Sequence, residues 1–157
     1  LTSWELKNEN IDHTIIADNT GGHLMQNGLV DIVITGSDRT TYTGDVCNKI
    51  GTYLKAIAAK ENKIPFYVAL PSSTIDWKNP KGSKIAIEKR DQNEIHYIRG
   101  LSSNGSLENF RVTPNGTKAA NFAFDVTPSK YITGLITEFG IFDSNENSIK
   151  KIYEKLK

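Results

Sequence analysis

Residues 29–35 (Leu-Val-Asp-Ile-Val-Ile-Thr) are almost wholly apolar and rich in β-branched side chains. A strand with one wet face alternates apolar with polar residues, whereas a central strand covered on both faces reads as a continuous apolar run. A polar loop, 36–45, follows. Then Ile50, Tyr53, Leu54, Ile57 and Ala58 recur at the i, i+3, i+4, i+7, i+8 spacing of one buried helical face. Asp45 stands where an N-cap would be. Residues 65–70 (Pro-Phe-Tyr-Val-Ala-Leu) form a second apolar run, stopped by Pro71. Upstream, the β-branched run at 12–17, the turn Asp18-Asn19-Thr20-Gly21-Gly22 and one or two helical turns at 22–27 repeat the alternation. Strands alternating with helices require parallel pairing and right-handed crossovers. The expected fold is therefore α/β: a Rossmann-like parallel sheet with helices on both faces, in a single domain spanning 1–157.

From Ser72 to Arg111 the chain is polar and punctuated by Pro80, Gly82, Gly100 and Gly105, which predicts loops with short extended pieces. Ile149, Ile152, Tyr153 and Leu156 make one apolar stripe on a terminal helix, suited to covering the sheet or a dimer partner. The opening Leu-Thr-Ser-Trp-Glu-Leu reads like helix interior, as in a trimmed chain or one half of a longer arrangement. With 19 Lys+Arg against 18 Asp+Glu and no basic run, the footprint of a nucleic-acid binder is missing. No apolar stretch approaches the ~20 residues that span a bilayer. The one cysteine cannot pair internally, and no Cys/His spacing suits a metal, so a reducing, cytoplasmic setting is expected.

Ligands of open parallel sheets bind beyond the carboxyl ends of the strands. Three segments reach that edge: 18–22, 36–39 and 70–74. Asp38 follows directly on the most buried strand, where partial desolvation would raise a carboxyl pKa toward acid–base use. A helix cap or a partner for Arg39 is the other role its position allows. Asn48 and Lys49 fall in the first turn of the expected helix, whose free N–H groups suit phosphate or sugar hydroxyls. A solvated first turn is the alternative. Two glycines, Gly21-Gly22, are a weak signal for a phosphate cradle, and a plain turn is the preferred reading. Cys47, beside Val46, reads as a small buried apolar group rather than a nucleophile. His23 is placed at the pocket edge, or as a hydrogen-bonded structural histidine. Neither a P-loop nor a Gly-x-Gly-x-x-Gly fingerprint occurs.

Taken together, several segments resemble the 5-methylthioribose-1-phosphate isomerase family. They are 17–25 (Ala-Asp-Asn-Thr-Gly-Gly-His-Leu-Met), Gly36-Ser37-Asp38-Arg39, 44–53 (Gly-Asp-Val-Cys-Asn-Lys-Ile-Gly-Thr-Tyr), 69–76, 87–91 and 121–128. The resemblance runs in order along almost the whole chain. It implies a Rossmann-like catalytic domain, usually a homodimer, that converts an aldose 1-phosphate to its ketose in methionine salvage without a cofactor or metal. By that resemblance Asp38 is the catalytic acid/base, and Asn48 and Lys49 contact the sugar phosphate. Family members are about double this length. Their N-terminal helical part supplies the catalytic cysteine and phosphate-binding arginines, and a substrate-binding glutamine precedes the segment that opens this chain. Cys47 stands at a different motif position. A separate N-terminal half is thus an expected partner, and this chain alone is expected to be incomplete. The same fold family includes the regulatory subunits of translation initiation factor 2B, a non-catalytic assembly alternative. Isomerases of ribose 1,5-bisphosphate or 5-deoxyribose 1-phosphate are alternatives within the enzyme class.

Overall fold

A computed structural model describes residues 1–156. Its main sheet has the order β1 (Val33–Thr35), β4 (Phe66–Ala69), β11 (Gly134–Thr137), β12 (Gly140–Phe142). The first three strands run parallel, and β12 returns antiparallel beside β11. The cross-strand partners Val33 with Phe66 and Val68 with Leu135 set one face of this sheet. Phe66, Val68 and Leu135 are fully buried there against Ala56 and Ala59 of helix α3 (Thr52–Glu61) and Ile149 and Ile152 of helix α5 (Glu146–Lys155). Met25 of α2 (Thr20–Gln26) joins the same core. α1 (Thr2–Asn8) buries nothing fully.

Because side chains alternate across a strand, Ile34, Tyr67, Ala69, Ile136 and Ile141 share the opposite face. That face is open: Ile34 is 57% and Ile141 67% exposed. Helix cover on both faces is therefore not what the described residues present. The architecture is a mixed α/β domain with several sheets.

A second sheet has the order β10 (Phe124–Thr127), β3 (Val46–Lys49), β2 (Arg39–Thr41), β5 (Ile75–Asp76). β3 pairs antiparallel with both neighbours, and β5 lies parallel to β2. Two small pairs complete the structure: β6 (Lys89–Arg90) with β9 (Asn121–Phe122), and the hairpin β7 (Tyr97–Leu101) with β8 (Leu107–Arg111). A single helical turn, α4 (Asn93–His96), precedes the hairpin. The polar middle thus holds short extended pieces, as its composition implies, and one of them is a five-pair ladder.

Three local expectations need correction. Residues 12–17 form no strand. The long apolar run contributes only Val33–Thr35 to the ladder, with Leu29 69% exposed. The helix starts at Thr52 rather than after Asp45, because 39–49 is spent on the β2–β3 pair. Its buried stripe is accordingly Thr52, Ala56 and Ala59, while Ile50 and Leu54 face solvent. Two alanines on that stripe let the helix lie close on the sheet. Asp45 is no helix cap: its Oδ2 accepts the Gly82 N–H at 3.0 Å and its Oδ1 that of Ser129 at 3.0 Å, tying two distant loops to the β2–β3 turn.

Candidate active site

Asp38 lies between β1 and β2, and its N–H donates to the Cys47 carbonyl at 3.0 Å. The side chain is exposed, and among the described residues its carboxylate accepts no hydrogen bond. Arg39 does not claim it, pairing instead with Asp76 at 3.7 Å. Asp38 is therefore a carboxylate with free lone pairs in the loop that follows the carboxyl end of β1. The dry surroundings expected from its neighbouring apolar run are not supplied by these residues.

Asn48 and Lys49 are the last two residues of β3, not the first turn of a helix. As neighbours on a strand they point to opposite sides. The Asn48 Nδ2 donates to Thr52 Oγ1 at 3.0 Å, and Thr52 Oγ1 donates to the Lys49 carbonyl at 2.7 Å. This closed pair of bonds fixes the turn between β3 and α3. Lys49 is exposed, with its ammonium 5.0 Å from the centre of the Phe124 ring, its cross-strand partner.

Opposite Asn48 in the ladder sits Asp125, which sequence reasoning did not single out. Its Oδ2 accepts the Gly51 N–H at 2.7 Å and its Oδ1 the Tyr53 N–H at 3.0 Å. A carboxylate there satisfies free N–H groups and meets the positive end of the helix. The helix terminus expected to receive phosphate is thus already filled by a side chain of the same domain. The available signal was an acid in the middle of the apolar strand Phe-Asp-Val-Thr. Gly51 makes the turn possible: its φ is +99°, and a Cβ there would lie 2.9 Å from Asp18 Oδ2.

Asp18 is brought to this same corner by the loop before α2 and forms an ion pair with Lys55. Asp18, Asn19 and Gly22 line a small hollow with Leu54, Lys55 and Ala58, so the 18–22 segment packs on α3. The segment after β4 is held from another side. Glu138 accepts the Ser72 N–H at 2.9 Å and the Ser72 hydroxyl, and those bonds hold the Glu138 carboxyl below its ordinary pKa. The three segments expected at the ligand-facing edge are each fixed in place. His23 is exposed on α2 and hydrogen-bonds with Asn27.

Cys47 is 1% exposed. Burial first, then the negative charge of Asp38, pushes its pKa up to about 11, with Arg39 opposing and Asp125 adding to the rise. A thiol so disposed is neutral near pH 7 and poorly nucleophilic. Among the described residues no cluster of His, Cys, Asp and Glu could hold a metal, and no helix is long and apolar enough to cross a membrane.

The chain is 56% identical over 154 residues to a methylthioribose-1-phosphate isomerase of Sinorhizobium medicae, covering 98% of the chain and 42% of that protein. The isomerase of Rhodospirillum rubrum is 58% identical over 154 residues, covering 98% and 40%. Among solved structures, the 5-methylthioribose 1-phosphate isomerase of Pyrococcus horikoshii superposes with a TM-score of 0.86 at 39% identity, over 99% of this chain and 41% of that one. The delta subunit of translation initiation factor eIF-2B from A. fulgidus does so at 0.80 and 39%, over 96% and 42%. The chain spans about two fifths of the length of the curated relatives it matches. Residues 1–144 match the family model described as the initiation factor 2 subunit family, and the chain belongs to that family.

Proposed function

We propose that the chain is the catalytic α/β portion of an aldose–ketose isomerase that converts 5-methylthioribose 1-phosphate to 5-methylthioribulose 1-phosphate in methionine salvage. The observation that carries this is identity of 53–58% over 98% of the chain with relatives bearing that enzyme's name. In the reaction the sugar ring opens, a hydrogen moves from C2 to C1, the C2 hydroxyl becomes a carbonyl and the ring oxygen gains a proton. Asp38 is the acid/base: its unengaged carboxylate takes the proton released at the C2 hydroxyl and delivers one to the ring oxygen. Asn48 and Lys49 hold sugar hydroxyls or phosphate. The turn that carries them is locked by Thr52 and Asp125, so the Asn48 carboxamide is presented at a fixed position, and positioning of this kind supplies much of an enzyme's rate.

The remainder of the full-length protein closes the site over Asp38 and covers the open face of the main sheet with helices, completing a Rossmann-like arrangement. The assembled enzyme is a cytoplasmic homodimer acting without a cofactor. A second reading, a non-catalytic subunit of an initiation-factor assembly, draws on the eIF-2B delta subunit, which is as identical to this chain as the solved isomerase.

The test is incubation with 5-methylthioribose 1-phosphate, with ketose formation followed by NMR. The chain alone turns over slowly or not at all. Adding the rest of a full-length relative produces turnover, which Asp38→Asn abolishes. Inactivity after that addition favours the assembly subunit.

A further inference from the structure

We infer that the cleft between α5 and the turn end of the β2–β3 hairpin binds an uncharged, planar nitrogen heterocycle of the nucleobase class. Its lining comes from three parts of the fold: Tyr42 from the β2–β3 turn, Trp77 just past β5, and Glu146, Lys150 and Tyr153 from α5. The last three fall at i, i+4 and i+7, one face of the helix, next to the stripe that buries Ile149 and Ile152. The opening holds about 400 Å³, within the range of small-molecule sites. It is distinct from the candidate active site. Tyr42 lies at the closed end of the hairpin, whereas Asp38 and Asn48 lie at its other end.

Two features fix the ligand chemistry. The first is the walls. Trp77 and Tyr153 stand with ring centres 5.0 Å apart and planes tilted by 57°, and Tyr42 adds a third ring. An aromatic face at an open cleft favours a flat ring that stacks on it, and bases do so largely regardless of identity. The second is the charge at the rim. Glu146 Oε1 and Lys150 Nζ are paired at 2.7 Å. The hydrogen bond and the charge of the Glu146 carboxylate raise the Lys150 pKa above its ordinary value. A cationic ligand would meet Lys150 already in that position, and an anionic one would meet Glu146, so a neutral ligand is selected. The same pair sets an acceptor beside a donor. The edges of nucleobases carry a donor beside an acceptor in the complementary order, which a simple aromatic ring does not. None of these contacts depends on the isomerase activity.

Trp4 and Trp77 are the two tryptophans, and Trp4 is exposed on α1. In a Trp4→Phe chain the emission therefore reports Trp77 alone. Titration of that protein with adenosine is expected to change its emission saturably, with half-saturation at or below about 1 mM. Tyr153→Leu, which removes a wall but keeps apolar bulk, raises the half-saturation concentration about tenfold or more. Glu146→Ala, on the exposed helix surface, raises it as well with the circular dichroism unchanged. Ribose and benzyl alcohol, which lack the base edge, give no saturable change. A linear, collisional response to adenosine, an unchanged midpoint in both variants, or equal saturation by benzyl alcohol would overturn the assignment.

Discussion

Asp125 reaches the start of α3 from a strand more than seventy residues downstream. With Ala at that position the Gly51 and Tyr53 N–H groups would lose their acceptor, at a cost of about 1–3 kcal/mol. Urea unfolding should show that loss for Asp125→Ala and a smaller one for Asp125→Asn, which keeps one acceptor oxygen. Cys47 gives a pH signature. Its thiol pKa is raised from 9.0 to about 11 in the folded chain, so between those values the native state holds a proton that the unfolded chain has released. Its contribution is therefore fully present below pH 9 and falls as pH rises toward 11, by about 2–3 kcal/mol from the size of the shift. Stability of the Cys47→Ala variant measured against pH should lack this part of the alkaline decline. An identical decline in both proteins would contradict the assignment of the burial effect to Cys47. At this scale the buried thiol was legible, since Cys47 stands beside Val46 and both are fully buried. Asn48 and Lys49, expected in the first turn of a helix, lie instead at the end of β3. Asp125 was not legible, since capping by a residue so far along the chain leaves no local pattern to read.

The helix α3 begins where a left-handed glycine and a carboxylate from β10 permit it. Gly51→Ala would place a Cβ against Asp18 in a backbone conformation that side chains avoid. The expected destabilisation is about 1–3 kcal/mol, read by thermal unfolding. The same element explains why its start was misplaced from sequence. Thr40 and Thr41 looked like polar loop, yet both are fully buried in β2. Their hydroxyls are satisfied locally, Thr40 with Ser37 at 2.9 Å and Thr41 with Thr43 at 2.9 Å, so threonine served as a β-branched strand former. Parallel strands β1 and β4 were legible because each lies in a largely apolar run rich in strand-forming residues. The β7–β8 hairpin is the opposite case. Ile98, Leu101, Leu107 and Phe110 are all exposed, on both of its faces, and an isolated hairpin is only marginally stable. Hydrogen exchange of the chain should find its amides opening well before those of β4 and β11. Equal protection would mean that the hairpin is held by contacts not seen here.

The whole molecule is covered on one side of its main sheet and open on the other. Ile34, Tyr67 and Ile141 form an apolar face of the kind that soluble monomers bury. Ile34→Lys and Ile141→Lys should therefore lower self-association of the chain in light scattering while leaving its melting temperature nearly unchanged. The expectation of helices on both faces came from reading residues 29–35 as covered on two sides. That run does carry enough apolar surface for two coverings, but these 156 residues provide one. Asp38, in the loop between β1 and β2, is exposed as well, and the proposed activity is that of the complete protein. The most direct measurement replaces the matching region of the Rhodospirillum rubrum isomerase, 58% identical, with this chain and follows conversion of 5-methylthioribose 1-phosphate by NMR. The hybrid should form the ketose, and Asp38→Asn within it should slow the reaction by ~10²–10⁴. A folded hybrid without turnover, or one that keeps most of its rate after Asp38→Asn, would contradict the assignment of this domain as the catalytic one.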